Sequence, residues 1–456
     1  MTNKRNHHIL LINPWIYDFA AFDLWAKPIG LLYIAGLLRK HGYRAHYIDC
    51  LDIHHPDMKD ATGIEYAKRK AYGTGSFYKE NIEKPDCLKG IPRRYSRYGI
   101  TPEIFRKELN NAPNPGVVLV TSMMTYWYPG VFQVIDIVKD VYCDVPVILG
   151  GIYATLCYFH ALQYSNADYI ITGEGEREAL RLVDEITGNL SDDSILIDGL
   201  DSLPYPAFDM MRGIDYVCIL TSRGCPFSCA YCASHVICNG FKRRDPLCVV
   251  DEIQFWSVRH GVEEFAFYDD ALMVEPEENI MVILREVLKR KIPCNFHTPN
   301  GIHIRFMTEK LCELMYETGF RTIRLGLETA DLRRQRSTGN KTTNEEFQQS
   351  VSNLLKAGFS PKEIGVYILI GLPRQRPEEV EETIRFVLEA GAKPILTEYS
   401  PIPETALWKD AVEESRQDIP SEPLFQNNSL VPFRSKHFSL ETYERLKQMT
   451  RRYWEV

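Results

Sequence analysis

Twice along this chain, short apolar runs alternate with segments of helical spacing, and that alternation fixes what it can fold into. The first series occupies residues 7–190, with strands expected in HHILLINP, 43–49, 116–123, 145–151 and 167–175. Helices fit 30–42, 130–141 and 175–187. Strand–helix alternation buries a parallel sheet between two helical layers. Five strands predict a flavodoxin-like, doubly wound α/β sheet whose ligands sit at the carboxyl ends of its strands. The second series places strands at 216–222, 263–269, 294–299, 322–328, 364–370 and 395–400. Helices fit between them at 246–260, 276–290, 308–318, 344–357 and 377–390. Six such units predict a partial (β/α)6 barrel, with its chemistry again at the strands' carboxyl ends.

The expected organisation is a sheet domain at 1–190 carrying an insertion at 51–115, a linker at 191–211, a barrel at 212–405 and a helical segment at 406–456. The insertion is too long for an ordinary connection. Its aromatic and arginine content predicts an ordered lid or docking segment. At 456 residues the chain exceeds one hydrophobic core. Its net charge of −8 argues against nucleic acid as a partner, and no apolar run reaches membrane-spanning length. The N-terminus, MTNKRNHHILLINP, passes directly into a strand without a signal-peptide core. A cytoplasmic location follows as an expectation, with the cysteines as reduced thiols or metal ligands.

Just past the first barrel strand stands RGCPFSCAYCASH, which groups Cys225, Cys229 and Cys232 as Cys-x3-Cys-x2-Cys. Iron–sulfur clusters are held by cysteine thiolates, and three thiols leave one iron of a four-iron cluster open to another ligand. Zinc is an alternative, with His235 as a fourth donor. A redox pair of Cys229 and Cys232 is another, although it leaves Cys225 unexplained. The remaining cysteines (50, 87, 143, 157, 218, 238, 248, 294 and 312) are scattered, and core packing is expected for most.

This stretch resembles the radical S-adenosylmethionine enzymes, whose signature has the same spacing with an aromatic, here Tyr231, before the last cysteine. The resemblance covers about 212–405. It implies a 4Fe-4S cluster whose open iron binds S-adenosylmethionine, and an electron that cleaves the sulfonium to a 5′-deoxyadenosyl radical. It also gives tasks at S-adenosylmethionine to Asp269 and Asp270 after the second strand, Glu328 at the end of the fourth and Gly371 at the end of the fifth. The glycines of the family's Gly-Gly-Glu segment are absent beside Asp269. Helix capping is the alternative for Asp270 and Glu328, and a plain turn for Gly371.

The stretches KPIGLLYIAGLLRKHGY, VTSMM, VILGGIYAT and YIITGEGE resemble the cobalamin-binding domain of the cobalamin-dependent radical S-adenosylmethionine enzymes. That implies a cobalamin tail lying along the sheet's carboxyl edge, lined by Thr121, Ser122, Gly150 and Gly151 and bordered by Gly173 and Gly175. Ordinary strand-to-helix turns are the alternative. The family's Asp-x-His-x-x-Gly signature is missing after the first strand, where NPWIYDF stands. His54 and His55, in DIHHPD, are expected as surface or insertion residues rather than cobalt ligands.

The expected function is a cobalamin-dependent methyltransferase acting at an unactivated carbon or phosphorus of a small molecule or peptide. The expected partner is a flavodoxin- or ferredoxin-type electron donor. Alternatives are a non-methylating rearrangement or cyclisation enzyme, a methylthiotransferase, and a non-catalytic cobalamin or redox sensor.

Overall fold

The computed structural model describes residues 6–64, 67–189 and 199–452. The expected linker lies outside the described residues at 191–198, and the end of the expected helical segment does so at 453–456. The chain forms two compact units, Met1–Asp215 and Tyr216–Val456.

The first unit is built on five parallel strands: β1 (His8–Asn13), β2 (Arg44–Asp49), β3 (Val117–Val120), β4 (Val147–Leu149) and β5 (Tyr169–Ile170). Their order is β5-β4-β3-β1-β2, the flavodoxin-like arrangement. Successive side chains of a strand face opposite sides, so β1 feeds two cores. Ile9 and Leu11 pack with Leu31, Ala35 and Leu38 of α1 (Ile29–Lys40) and Ala179 and Val183 of α3 (Glu176–Thr187). Leu10 and Ile12 pack with Val131, Val134 and Val138 of α2 (Tyr128–Val141).

The insertion is part of that second core and not a detached lid. Leu51, Ile53, Phe77, Tyr98, Ile100 and Phe105 are buried in the same cluster as Leu10 and Val120. Ile16–Asp18, Lys79–Ile82 and Tyr95–Tyr98 pair antiparallel as a small sheet. Gly99 has φ +120, and an added Cβ there would lie 1.9 Å from the Cys50 carbonyl oxygen, so only glycine lets the insertion close on the end of β2. Beyond the linker's undescribed part, Ala207 is buried in the α1–α3 core.

The second unit holds β6 (Val217–Ile219), β7 (Glu264–Phe267), β8 (Asn295–His297), β9 (Phe320–Glu328), β10 (Ile364–Ile370) and β11 (Lys393–Glu398). All pair in parallel and in chain order, leaving β6 and β11 as edges: a partial (β/α)6 barrel. The helices between them start on local caps. Asp245, Thr308 and Thr343 each accept a backbone N–H of the helix they precede. Gly261 and Gly358 end two of the helices in left-handed conformations. The C-terminal segment is stitched to the strand ends by Arg434, which is buried and donates to the carbonyls of Phe425, Asn427 and Tyr399.

Candidate cluster and cofactor sites

The three-cysteine loop leaves the barrel after β6 and is tied at its neck. Ser222–Arg223 pair antiparallel with Lys242–Arg243. Inside that ribbon Gly224, at φ +76, passes so close to Gly240 that a Cβ would sit 2.1 Å from its carbonyl oxygen. Beneath the neck lies a buried polar knot. Asp269 accepts from the backbone N–H of Thr221 at 3.0 Å and from the hydroxyls of Thr221 and Ser222, each at 2.7 Å. Asn279 donates to the Thr221 hydroxyl, and Arg244 pairs with Glu252 at 2.5 Å while donating to the Leu220 carbonyl. Burial pushes the Asp269 carboxyl up to about 6, against the pull of these hydrogen bonds. Asp270 accepts from the Ser234 hydroxyl at 2.5 Å, which ties the strand end to the segment following Cys232. Neither aspartate caps a helix: the next one starts after Asn279.

Within the loop, residues 229–232 are fixed from several sides. Ala230 donates to the Thr338 carbonyl and accepts from the Leu407 N–H, and Cys232 donates to the Cys229 carbonyl. Gly339 lies against Cys229, where an added Cβ would come 3.1 Å from its Cα. All three cysteines are half-buried. The Cys225 thiol is pushed up to about 11, chiefly by burial and then by the nearby Cys232, Asp270 and Cys229. The Cys232 thiol is likewise raised, chiefly by burial. Thiols so placed ionise when a metal supplies the positive charge that their surroundings lack.

The donor set fits a cubane better than a zinc ion. Zinc needs four donors closed on one point at roughly 2.0–2.3 Å. Among the described residues no three His, Cys, Asp or Glu side chains close on such a point, and His235 is exposed. A cubane takes each thiolate on a separate iron, so its ligands need only surround a common space.

At the end of β9, the pairing with β10 slips between Gly326 and Glu328, and Glu328 adopts φ +68. A non-glycine residue held there is strained and has to be held by its surroundings. Glu328 accepts from Lys341 Nζ at 2.6 Å, with both side chains 13% exposed. Lys341 Nζ also stands 5.8 Å from the ring centroid of Tyr231. Burial pulls the Lys341 ammonium down, but Glu328 and Cys229 more than offset this, so it ends above the ordinary lysine value. Glu328 is not a helix cap; Asp331 caps the helix that follows. The structure thus brings Tyr231, Glu328, Lys341 and the cluster loop together. Lys341 carried no sequence signal: it sits in TGNKTT, a segment with no motif. Gly371, at φ +88, lies under Val431, whose side chain an added Cβ would approach to 2.6 Å.

In the first unit, Ser122 donates its hydroxyl to the Gly150 carbonyl at 2.7 Å and receives the Ala154 N–H. Gly151, at φ +99, lies directly on the Ser122 backbone, where a Cβ would be 2.2 Å from its carbonyl oxygen. Gly150 is different: a Cβ there would meet only Ile171, no closer than 3.8 Å. Thr121 is half-buried beside it. The Gly173 N–H donates to the Thr155 hydroxyl oxygen at 2.9 Å, and Gly175 precedes α3. The edge therefore fits a ligand that needs bare backbone, with Gly150 as its open position.

His54 pairs with Asp215 at 3.0 Å, and His55 is buried with Nε2 3.4 Å from Glu108, so His55 is not a surface residue. A cavity of about 340 Å³ opens beside β2, lined by residues including Lys27, Tyr47, Asp49, Asp52, His54 and Arg212. Of the other cysteines, Cys50, Cys157, Cys218 and Cys312 are buried, Cys87 and Cys143 are exposed, and the rest are half-buried. Full burial thus holds for fewer than the sequence suggests.

A sheet of cobalamin-binding type followed by an open barrel with a three-cysteine loop defines a class, and sequence comparison finds the same two modules. The B12 binding domain family matches residues 95–183, and the radical SAM superfamily matches residues 219–387. The chain belongs to the cobalamin-dependent radical S-adenosylmethionine enzymes. An uncharacterized methyltransferase of Pyrococcus horikoshii is 25% identical over 66% of this chain and 70% of its own length. The cytidylyl-2-hydroxyethylphosphonate methyltransferase of Streptomyces wedmorensis is 23% identical over 93% of this chain and 85% of its own. The radical S-adenosylmethionine methyltransferase TsrM of Kitasatospora setae, with cobalamin and a 4Fe-4S cluster bound, has the same fold. Its TM-score is 0.65 at 15% identity, over 90% of this chain and 75% of that one. The protein is an enzyme whose cofactors are a 4Fe-4S cluster, S-adenosylmethionine and cobalamin. Among the described residues no helix is long and apolar enough to cross a membrane.

Proposed function

We propose that this enzyme is a methyltransferase that places a methyl group on an unactivated carbon or phosphorus. Cys225, Cys229 and Cys232 hold three irons of the cluster, and S-adenosylmethionine takes the fourth. When bound, the cluster supplies the electron that splits the sulfonium, and cobalamin carries the methyl group.

The observation that carries this reading is the meeting of the three-thiol loop with the Glu328–Lys341 pair beside Tyr231. S-adenosylmethionine is a zwitterion with a ribose. Glu328 offers an acceptor for its amine or hydroxyls, and Lys341 offers a cation for its carboxylate. Asp269 and Asp270 act on the loop, the first at its neck and the second through Ser234. Gly371 shapes the turn that admits the C-terminal segment. Along the first unit's edge, Thr121, Ser122, Gly150, Gly151, Gly173 and Gly175 seat cobalamin, with Gly150 and Thr121 nearest the ligand. The electron comes from a flavodoxin- or ferredoxin-type protein. The insertion, which lines the cavity beside β2 through Asp52, Ile53, His54 and Glu108, selects a small-molecule or peptide substrate.

The test is anaerobic purification with cobalamin supplied, followed by iron, sulfide and cobalt counts, and then incubation with methyl-labelled S-adenosylmethionine and a low-potential reductant. The reading expects about four irons and one cobalt per chain, reductant-dependent formation of 5′-deoxyadenosine, and label appearing on cobalamin. Zinc in place of iron sinks the cluster assignment. Cleavage without any label reaching cobalamin sinks the methyltransferase assignment and leaves a rearrangement enzyme.

A further inference from the structure

The connection after β8 brings His303 against the cluster loop. His303 is 7% exposed, and its Nε2 lies 3.8 Å from Cys225 Sγ. Its ring meets Phe227 edge-on with centroids 4.5 Å apart, and Phe306 lies beyond, 6.4 Å from Phe227. Its other nitrogen, Nδ1, is buried without a hydrogen-bond partner. The charged groups that bear on it are the cations Lys341 and Arg305.

Packing alone does not call for a histidine here. A phenylalanine would fill the space between Phe227 and the loop without stranding a buried nitrogen. What an imidazole adds is a hydrogen bond to sulfur. An orphaned N–H is less tolerable than an orphaned lone pair, so the proton of a neutral ring belongs on Nε2, facing Cys225. A free thiol could take either side of that bond. A metal-bound thiolate has no proton and can only accept. The donation needs no change in the protonation of His303, since a charged ring would donate from the same atom.

We propose that His303 is a positioning residue that donates Nε2–H to the cluster-bound sulfur of Cys225 and thereby raises the cluster's reduction potential. Hydrogen bonds to the sulfurs favour the reduced, more negative cluster and are among the determinants of its potential. No sequence motif points to this residue: His303 stands in NGIHIRF, 78 positions from Cys225. The inference rests on Cys225 being a cluster ligand.

The experiment compares the wild-type holoenzyme with His303→Phe and His303→Gln, each reconstituted anaerobically. Iron and sulfide are counted, and the cluster is titrated against potential by electron paramagnetic resonance. A spectrum in deuterated buffer then reads exchangeable protons near the reduced cluster. The expected result is wild-type iron in all three proteins and a midpoint shifted to more negative potential in His303→Phe. One exchangeable proton coupling should be lost in the same variant. His303→Gln, which keeps an N–H donor, should recover most of both. An unchanged midpoint and coupling in an iron-replete His303→Phe protein overturns the proposal, as does an equal shift in His303→Gln. Should His303→Phe lose iron, His303→Leu, which also lacks an N–H donor, takes its place and is read by the same criterion. Wild-type protein without iron would fail the cluster reading itself, a result separable from either of these.

Discussion

Lys341 donates to Glu328 at 2.6 Å directly over Gly326, where an added Cβ would lie 2.9 Å from the ammonium and 3.2 Å from the carboxylate. Three residues on one strand end and its following loop thus form a unit. The glycine makes room, the bulge turns Glu328 out of the strand's alternation, and Lys341 pairs with its carboxylate in a half-buried place.

Replacing Lys341 with methionine leaves that carboxylate buried and unpaired. The expected cost is about 3 kcal/mol of stability, read as a lower urea midpoint of the apo protein. Adding Glu328→Gln should restore a large part of the stability. Binding of S-adenosylmethionine, measured by equilibrium dialysis on the reconstituted enzyme, should stay impaired in both. Recovery of binding in the double variant would show that neither charge touches the ligand.

Gly326→Ala pushes the pair apart with no change of charge. The expectation is at least a tenfold loss of S-adenosylmethionine affinity with iron content unchanged. Wild-type affinity would mean that the pair's position is immaterial.

Asp269 gives a pH signature. Burial raises its carboxyl from 3.8 to about 6 in the folded chain. The folded state therefore holds this proton more tightly than the unfolded one, and stability from this group is full below about pH 4 and falls as pH rises through 6. The span is on the order of 3 kcal/mol. Asp269→Asn should flatten the unfolding free energy between pH 4 and 6 relative to wild type, as followed by urea melts at each pH. An identical slope in both proteins would remove Asp269 as its source.

The two adjacent glycines of the first unit should part company. Gly151→Ala, at φ +99 and against the Ser122 backbone, is expected to cost more than about 2 kcal/mol. Gly150→Ala has room for its methyl and should leave the melting temperature nearly unchanged. A larger Gly150→Val side chain should lower bound cobalamin, read from the visible spectrum, if the bare backbone of Gly150 seats it. Full cobalamin content in a stably folded Gly150→Val protein would exclude that seat.

Much of the fold was legible because the elements announce themselves locally. β1 reads as an apolar run, since a doubly covered parallel strand buries both faces. Helices stop at Gly188, Gly261 and Gly358 because left-handed closure favours glycine. The cysteine loop was legible for the same reason, as its three thiols fall within eight residues. The insertion was not: its length shows, but Phe77, Tyr98 and Phe105 fill the core under β1 and β3 through contacts that no sequence period encodes. Capping was a reasonable expectation for Asp270 and Glu328, because carboxylates after strands often start helices. The structure gives that task to Asp331 after β9, starts the helix after β7 at Asn279 without a side-chain cap, and turns both acids elsewhere.

The sequence by itself determined the two sheet-and-helix units and the thiol-bearing loop, because strand period, helix caps and cysteine spacing are properties of neighbours along the chain. Only the tertiary structure decided which groups surround those thiols. Lys341 and His303 reach the loop from the ends of different barrel strands. A parallel barrel gathers at one rim residues that the chain holds far apart, so partners there are set by strand order and register and not by distance in sequence.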